Sequence, residues 1–261
     1  MMRALWTAAT GMEAQQMKID VIANNLANVN TTGFKKGRAD FEDLLYQTLR
    51  DPGASAAEGQ AASSGTQVGL GSRTVAISKL FAQGELQQTT NELDVSIEGK
   101  GFFQVLRNGD ELAYTRAGAF KVNADGLLTT ATGETLEPQI EIPSEALNVA
   151  IAPDGTVSVT MPGETEAEEV GTIELARFAN PDGLRNLGHN LLAPTGASGE
   201  PITGVPGEEG FGSVSQGFLE MSNVNLVEEM VQMIVGQRAY EISSKVITTA
   251  DQMLQSVSRV V

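Results

Sequence analysis

The chain has 261 residues, 41% of them hydrophobic and 5% aromatic, with 28 glycines, no cysteine and a formal charge of −16. That apolar content supports a real core and excludes a disordered chain, while the few aromatics argue against a deep aromatic-lined ligand pocket. Residues 1–50 sum to +1, residues 51–217 to −15 and residues 218–261 to −2; an acidic middle argues against nucleic acid, and the lack of cysteine excludes a disulfide framework, a thiolate nucleophile and a Cys-based zinc site.

The N-terminal MMRALWTAATGMEAQQMKID has one early arginine, but Thr7, Thr10, Glu13, Gln15 and Gln16 interrupt any continuous apolar stretch, so no cleaved secretory signal is expected. No run approaches the roughly 20 apolar residues of a membrane span, and no membrane insertion is expected. Instead, apolar residues recur every seven positions. Leu5, Met12, Ile19 and Leu26 form one row, and Ala8, Gln15, Ile22 and Val29 a second row three residues on, which predicts a helix with an a/d seam. From Leu5 to Val29 that helix would span about 38 Å.

The helix runs into NNLANVNTTGFKKGR, which holds Asn24, Asn25, Asn28 and Asn30. Gly33 is expected to end it and to let Phe34, Lys35 and Lys36 lead outward. Two readings of the asparagines stand side by side. Asn28 and Asn30 would cap and fray a helix end, or Asn24 and Asn28, one turn apart, would make lateral hydrogen bonds to another subunit.

Residues 51–73, DPGASAAEGQAASSGTQVGLGSR, have no period and read as an extended connector. From Thr74 short alternating runs predict strands: TVAISKLF, LDVSIEGKGFFQV, AYTRAGAFKV, LNVAIA, TVSVTM and VGTIELARF. Asn108-Gly109, Asp125-Gly126, Asp154-Gly155 and Asp182-Gly183 are expected between them as hairpin turns, because glycine takes a positive φ without a Cβ penalty. The glycines of GKGF, Gly99 to Phe102, are expected at a bulge or bend.

The C-terminus repeats the heptad signal. Leu226, Met233, Tyr240, Ile247, Leu254 and Val261 stand at strict sevens, with Gly236, Ser243, Ala250 and Val257 as the companion row. A helix from about Ser222 to Val260 would be about 58 Å long. Neither seam can be buried alone, so the two ends are expected to pair with each other or with the same ends of other chains. The fold class is therefore α+β, with long terminal helices in a coiled-coil-like pair and a central all-β domain. Its expected divisions are 1–33, 34–73, 74–217 and 218–261.

No residues nominate a catalytic, cofactor or metal site. His189 has no Cys or Glu at ligand spacing, Asn123-Ala-Asp125-Gly126 lacks the remaining oxygens of a calcium loop, and GLGSR at Gly69 to Arg73 is not followed by a helical pattern.

Several long motifs in order, LWTAATGM with NNLANVNTTGFKKGR, LDVSIEGKGFFQV, YTRAGAFKVNADGLLTTATGETL, NLLAPTGASGEP and QGFLEMSNVNLVEEMVQMIVGQRAYEISSKVITTADQML, resemble the flagellar rod and hook axial-protein family over nearly the whole chain. The likeness is greatest to members that build the distal rod, although Ser243 stands where that pattern has Asn. The resemblance implies a structural subunit, not an enzyme, that polymerises helically in the basal body and carries motor torque to the hook. It implies as neighbours other copies of itself, proximal rod proteins, hook or hook-junction subunits and the P and L rings. It also implies export through the flagellar type III apparatus without a cleaved signal, across the periplasm. On that basis the expected subunit interface comprises the two apolar rows of each helix together with Asn24 and Asn28. A hook or proximal rod subunit shares this chemistry, and a secreted β-domain enzyme dimerised by its helices is the alternative from another class.

Overall fold

A computed structural model describes residues 2–50, 55–56, 60–61, 65–107, 111–163 and 167–260, with the side chains of 2, 4, 55–56, 60–61 and 257–260 left aside. The chain forms two compact units. A helical unit comprises Met1–Ala27, Gly37–Ser78 and Asn225–Val261, and a β unit comprises Asn28–Lys36 and Lys79–Val224.

In the helical unit, α1 (Met2–Ala27) and α2 (Leu226–Val260) are the two terminal helices. The second begins four residues later than its heptads predicted because Asn225 caps it. The Asn225 Oδ1 accepts hydrogen bonds from the backbone N–H groups of Val227 at 3.0 Å and Glu228 at 3.2 Å, and Glu228 and Glu229 complement the positive helix end. The helices pack against each other along their lengths. Ile19 approaches Gly236, where a Cβ would lie 3.1 Å from Ile19 Cγ1. Asn25 Nδ2 donates to Glu229 Oε2 at 3.0 Å. Position falls on one helix as it rises on the other, so the pair is antiparallel.

Residues expected as an extended connector contain paired strands. Gly37–Asp43 pairs with Ser72–Lys79, Tyr46–Arg50 with Thr66–Gly69, and Ser55–Ala56 with Gln60–Ala61. They are nested in sequence as a ribbon of three two-stranded pairings; Ser72–Lys79 overlaps the expected strand TVAISKLF, while the other strands, rich in small and polar residues, read poorly from sequence. The ribbon lies against α1. Gly71, with φ of 121°, approaches so closely that a Cβ would sit 2.2 Å from Thr10 Oγ1, which explains a glycine in GLGSR without any phosphate. Asn25 ties the ribbon's first residue to the helix. Its Oδ1 accepts from Gly37 N at 2.8 Å and its Nδ2 donates to Gly37 O at 2.9 Å.

The β unit is built around the strand Phe102–Arg107. It pairs antiparallel with Glu111–Thr115 on one side, and with Thr135–Glu137 and Leu175–Arg177 along different parts of the other. A three-stranded sheet of Asn148–Ile151, Thr156–Thr160 and Glu168–Thr172 stands beside this nine-stranded one. Val95, Ile97, Phe103, Val105, Phe120, Leu128 and Leu136 form the core between them. A second cluster stacks Phe102, Tyr114 and Phe178 edge to face at centroid distances of 4.8 to 5.9 Å. The alternation of the sequence thus becomes buried faces, as period-2 patterning requires.

The turns follow the sequence in part. Gly126 and Gly155 adopt φ of 84° and 83° between paired strands. Asp182-Gly183 instead belongs to a single 3-10 turn, Pro181–Gly183, between strands that do not pair with each other; Pro181 presets that turn. Asn108-Gly109 lies outside the described residues, although the strands on either side pair as a hairpin. Gly99 and Gly101 form the bend between Val95–Glu98 and Phe102–Arg107, which belong to different sheets.

Gly33 does not end α1, which stops at Ala27, and residues 34–36 do not lead outward. Gly33 has φ of 70°, and a Cβ there would lie 2.5 Å from Ala117 N. It therefore turns the chain inward, and both Phe34 and Lys35 are buried. Lys35 Nζ donates to Glu220 Oε1 at 2.5 Å and to Ala82 O at 2.7 Å. Arg116 Nε donates to Glu220 Oε2 at 2.8 Å, and its remaining nitrogens donate to the carbonyls of Ile97, Gly99 and Gly101. Gly84 N completes the cradle around Glu220 at 2.9 Å. Burial raises the Glu220 pKa, but Arg116 and Lys35 outweigh it and hold this carboxyl below the usual carboxylate range. Because the folded state holds its pKa down, Glu220 contributes stability above its unfolded value of about 4.3, and this is lost as pH falls through the folded value. Replacing Glu220 by Gln leaves two buried cations facing a neutral group and should cost about 3–5 kcal/mol at neutral pH. Urea unfolding of the full chain followed by circular dichroism should show that loss at pH 7, and a flatter acid dependence in the variant.

Candidate functional site

Faces of α1 and α2 are the first place to look, because that is where the expected site residues cluster. Ala14, Ile22 and Asn25 of α1 are buried, with Leu5, Met12, Ile19 and Leu26 half-buried beside them. On α2, Glu229, Gly236 and Ala250 are buried and Met233, Ser243, Ile247 and Leu254 half-buried. Within one chain the two seams therefore face each other. Small residues on the companion row let the helices approach, as Gly236 does against Ile19.

Two residues of the expected interface row stand out of this contact. Leu226 is exposed because the antiparallel register carries it past the end of α1, and Tyr240 is exposed where that register brings it level with Gln15, the polar member of the α1 rows. Asn24 is exposed on α1. In the β unit Val29 and Asn28 are half-buried, and Asn28 Oδ1 accepts from Thr31 Oγ1 at 3.1 Å, as a residue finishing a helix does. The side chain of Val257 and the whole of Val261 lie outside the described residues.

Periodicity at seven did not find a second apolar face on α2. Val227, Met230, Val231, Ile234, Val235, Ile242, Val246 and Met253 are all exposed, with Val227 at 69% and Ile242 at 65%. A helix apolar on two faces is ordinarily covered on both. The signal was present in the sequence as steps of three, four and seven from Val227, interleaved with the seam and masked by it. The ribbon adds Phe41, Leu45, Tyr46, Leu49, Val75 and Ile77, also exposed. A two-stranded ribbon is marginal by itself, so this apolar surface is another that water leaves unsatisfied.

Among the described residues there is no group of three or more His, Cys, Asp or Glu arranged to hold a metal ion. No described helix is long and apolar enough to cross a membrane. His189 is exposed, in a left-handed turn with φ of 51°, near Glu134. Burial raises the Glu134 pKa, but hydroxyl donors from Thr130 and Thr132, with smaller contributions from its own backbone N–H and the His189 charge, hold it below the usual range. That is a turn stabilised by hydrogen bonds. In the Lys35–Glu220–Arg116 cluster both carboxylate oxygens are already occupied, which suits holding three segments together rather than moving a proton. Sequence reasoning missed this cluster because its members are far apart in the chain and none is unusual locally.

Comparison with known proteins agrees with this geometry. Residues 5–35 match the family described as flagella basal body rod protein, residues 96–159 the flagellar hook protein FlgE/F/G D1 domain, and residues 215–260 the flagellar basal body rod FlgEFG protein C-terminal region. The chain is 51% identical to the flagellar basal-body rod protein FlgG of Borreliella burgdorferi over 97% of both chains. It is 48% identical to that of Agrobacterium fabrum over 99% of both, and 40% identical to that of Bacillus subtilis over 98% of both. Matches of this extent, over nearly the whole of each chain, show that the chain belongs to the FlgG family of flagellar basal-body rod proteins.

Proposed function

We propose that the chain, a structural subunit of the flagellar basal-body rod, polymerises helically into its distal part and there transmits motor torque toward the hook. The observation that carries this reading is the second apolar face of α2, which no other described segment of the same helical unit covers. Each Val, Ile or Met fully removed from water contributes about 1.5–3 kcal/mol, so a few per contact suffice when every subunit repeats them. A head-to-tail contact that does not close into a ring then builds a filament.

In this reading the seam rows hold α1 to α2, and the outer face of α2 meets a neighbour, joined by Leu226, Tyr240 and Asn24 on the exposed surface. The reading is of a mechanical rather than a catalytic protein. Its neighbours are other copies, proximal rod proteins and hook or hook-junction subunits, with the P and L ring proteins around the rod as it crosses the periplasm and outer membrane. Delivery through the flagellar type III export apparatus, without a cleaved signal, goes with that position.

Concentrated full-length protein should form straight tubes by electron microscopy. Ile234→Asp on the outer face should abolish them while the circular dichroism of the β unit is retained; tubes of normal yield from that variant would remove the outer face from the assembly. Leu26→Asp and Leu254→Asp, which break the seam, should also stop assembly with the β unit intact. In the free subunit the two termini should be cut by protease within the time that leaves the β unit whole, and polymerisation should protect them, since a helix pair with so much uncovered apolar surface depends on its neighbours.

A further inference from the structure

The β unit holds a cleft of about 420 Å³, whose walls include Phe81, Phe102, Phe178 and Ile202. Phe102 stacks edge to face on Phe81 at 5.5 Å and on Phe178 at 5.9 Å, which makes one continuous apolar wall. Charge is distributed unusually around it. The unit has 9 basic and 22 acidic side chains, yet four of the basic ones, Lys35, Lys100, Arg116 and Arg177, line this single cleft and no acidic residue does. Lys35 and Arg116 share Glu220 beneath it. Lys100 and Arg177 have no ion-pair partner among the described residues, and the Arg177 guanidinium is held 5.3 Å above the ring of Phe211. An apolar slot rimmed by unpaired cations, on a molecule this acidic, fits an apolar side chain flanked by a carboxylate.

The same unit displays such a feature. Between Lys121 and Arg177 there is no basic residue and there are 11 acidic ones. In that stretch Leu147 is 70% exposed, more than any other large apolar side chain described in the unit, and Glu145 is exposed two residues before it. The turn that presents them is fixed by hydrogen bonds from Ala146 N to Pro143 O at 3.0 Å and from Leu147 N to Thr160 O at 2.9 Å. Neither residue lines the cleft.

We infer that the cleft receives the Glu145–Leu147 turn of a second copy of this chain, with Leu147 against the phenylalanines and Glu145 paired with Arg177 or Lys100. Cleft and turn are different patches of the unit, so a contact made once between successive copies is heterologous and continues along a filament when its rotation does not close a ring. It rests on the polymer reading above and adds to it a contact between β units, independent of the helices.

The absence of cysteine from the chain makes the test clean. In polymer formed from the full-length Leu147→Cys/Ile202→Cys double variant, mild oxidation should give a disulfide ladder on denaturing gels, whereas either single variant should not. Normal polymer without a ladder overturns the contact. The contact also falls if the polymer shields the thiol of Ile202→Cys from maleimide while that thiol never links to the one of Leu147→Cys, because another segment then fills the cleft. As a second line, Arg177→Glu should raise the critical concentration for assembly at least about tenfold, and adding Glu145→Arg should restore it; no recovery overturns the pairing. If the unsubstituted chain forms no polymer, both the assembly reading and this contact fall, and that outcome is distinct from polymer that lacks only the ladder.

Discussion

Everything in the helical unit follows from one mismatch: α2 is apolar around more of its circumference, and over more of its length, than α1 can cover. The helices have 35 and 26 residues, so the longer one projects beyond its partner whatever the register. Pairing satisfies the seam and leaves the face from Val227 to Met253 in water. For a protein that lived alone this would be a liability for aggregation. For a subunit it is surface that a neighbour can cover, already shaped as a helix edge.

Asn25 shows how the same unit fixes direction as well as affinity. Apolar stripes tolerate sliding by a turn. A buried amide that accepts from Gly37 N, donates to Gly37 O and donates to Glu229 does not, because any shift leaves polar groups without partners in a dry site. Gly71 against Thr10 imposes a matching steric limit farther along the ribbon. Ribbon, first helix and second helix are thereby held in one register, and the exposed apolar residues of ribbon and helix are presented in fixed positions.

The features legible in the sequence were those with a period or a local chemical signature. Heptads placed both helices, alternation placed the strands, and Asp-Gly pairs found the hairpins at Gly126 and Gly155, where a positive φ was needed. Failures came where the deciding partner is remote. Gly33 looked like a helix terminator by position, yet its conformation serves close packing on Ala117. Lys35 is expected from its place after Gly33 to lead outward, and the presence of Glu220 and Ala82 allows it to be buried instead. The outer face of α2 was written in the sequence but overlapped a stronger period, and a heptad count registers one seam at a time. The turn at Leu147 has no period and no local motif, so it becomes visible only once its exposure is known.

The three-membered charge cluster has a consequence for the order in which the molecule comes into being. A chain is made from its N-terminus, so Lys35 and Arg116 exist long before Glu220 does. Until the last of them arrives, two cations must be kept out of the interior, and closing the β unit around them is unfavourable. A chain cut short before residue 220 lacks the carboxylate that offsets the burial of these two cations, so closing its β unit is disfavoured.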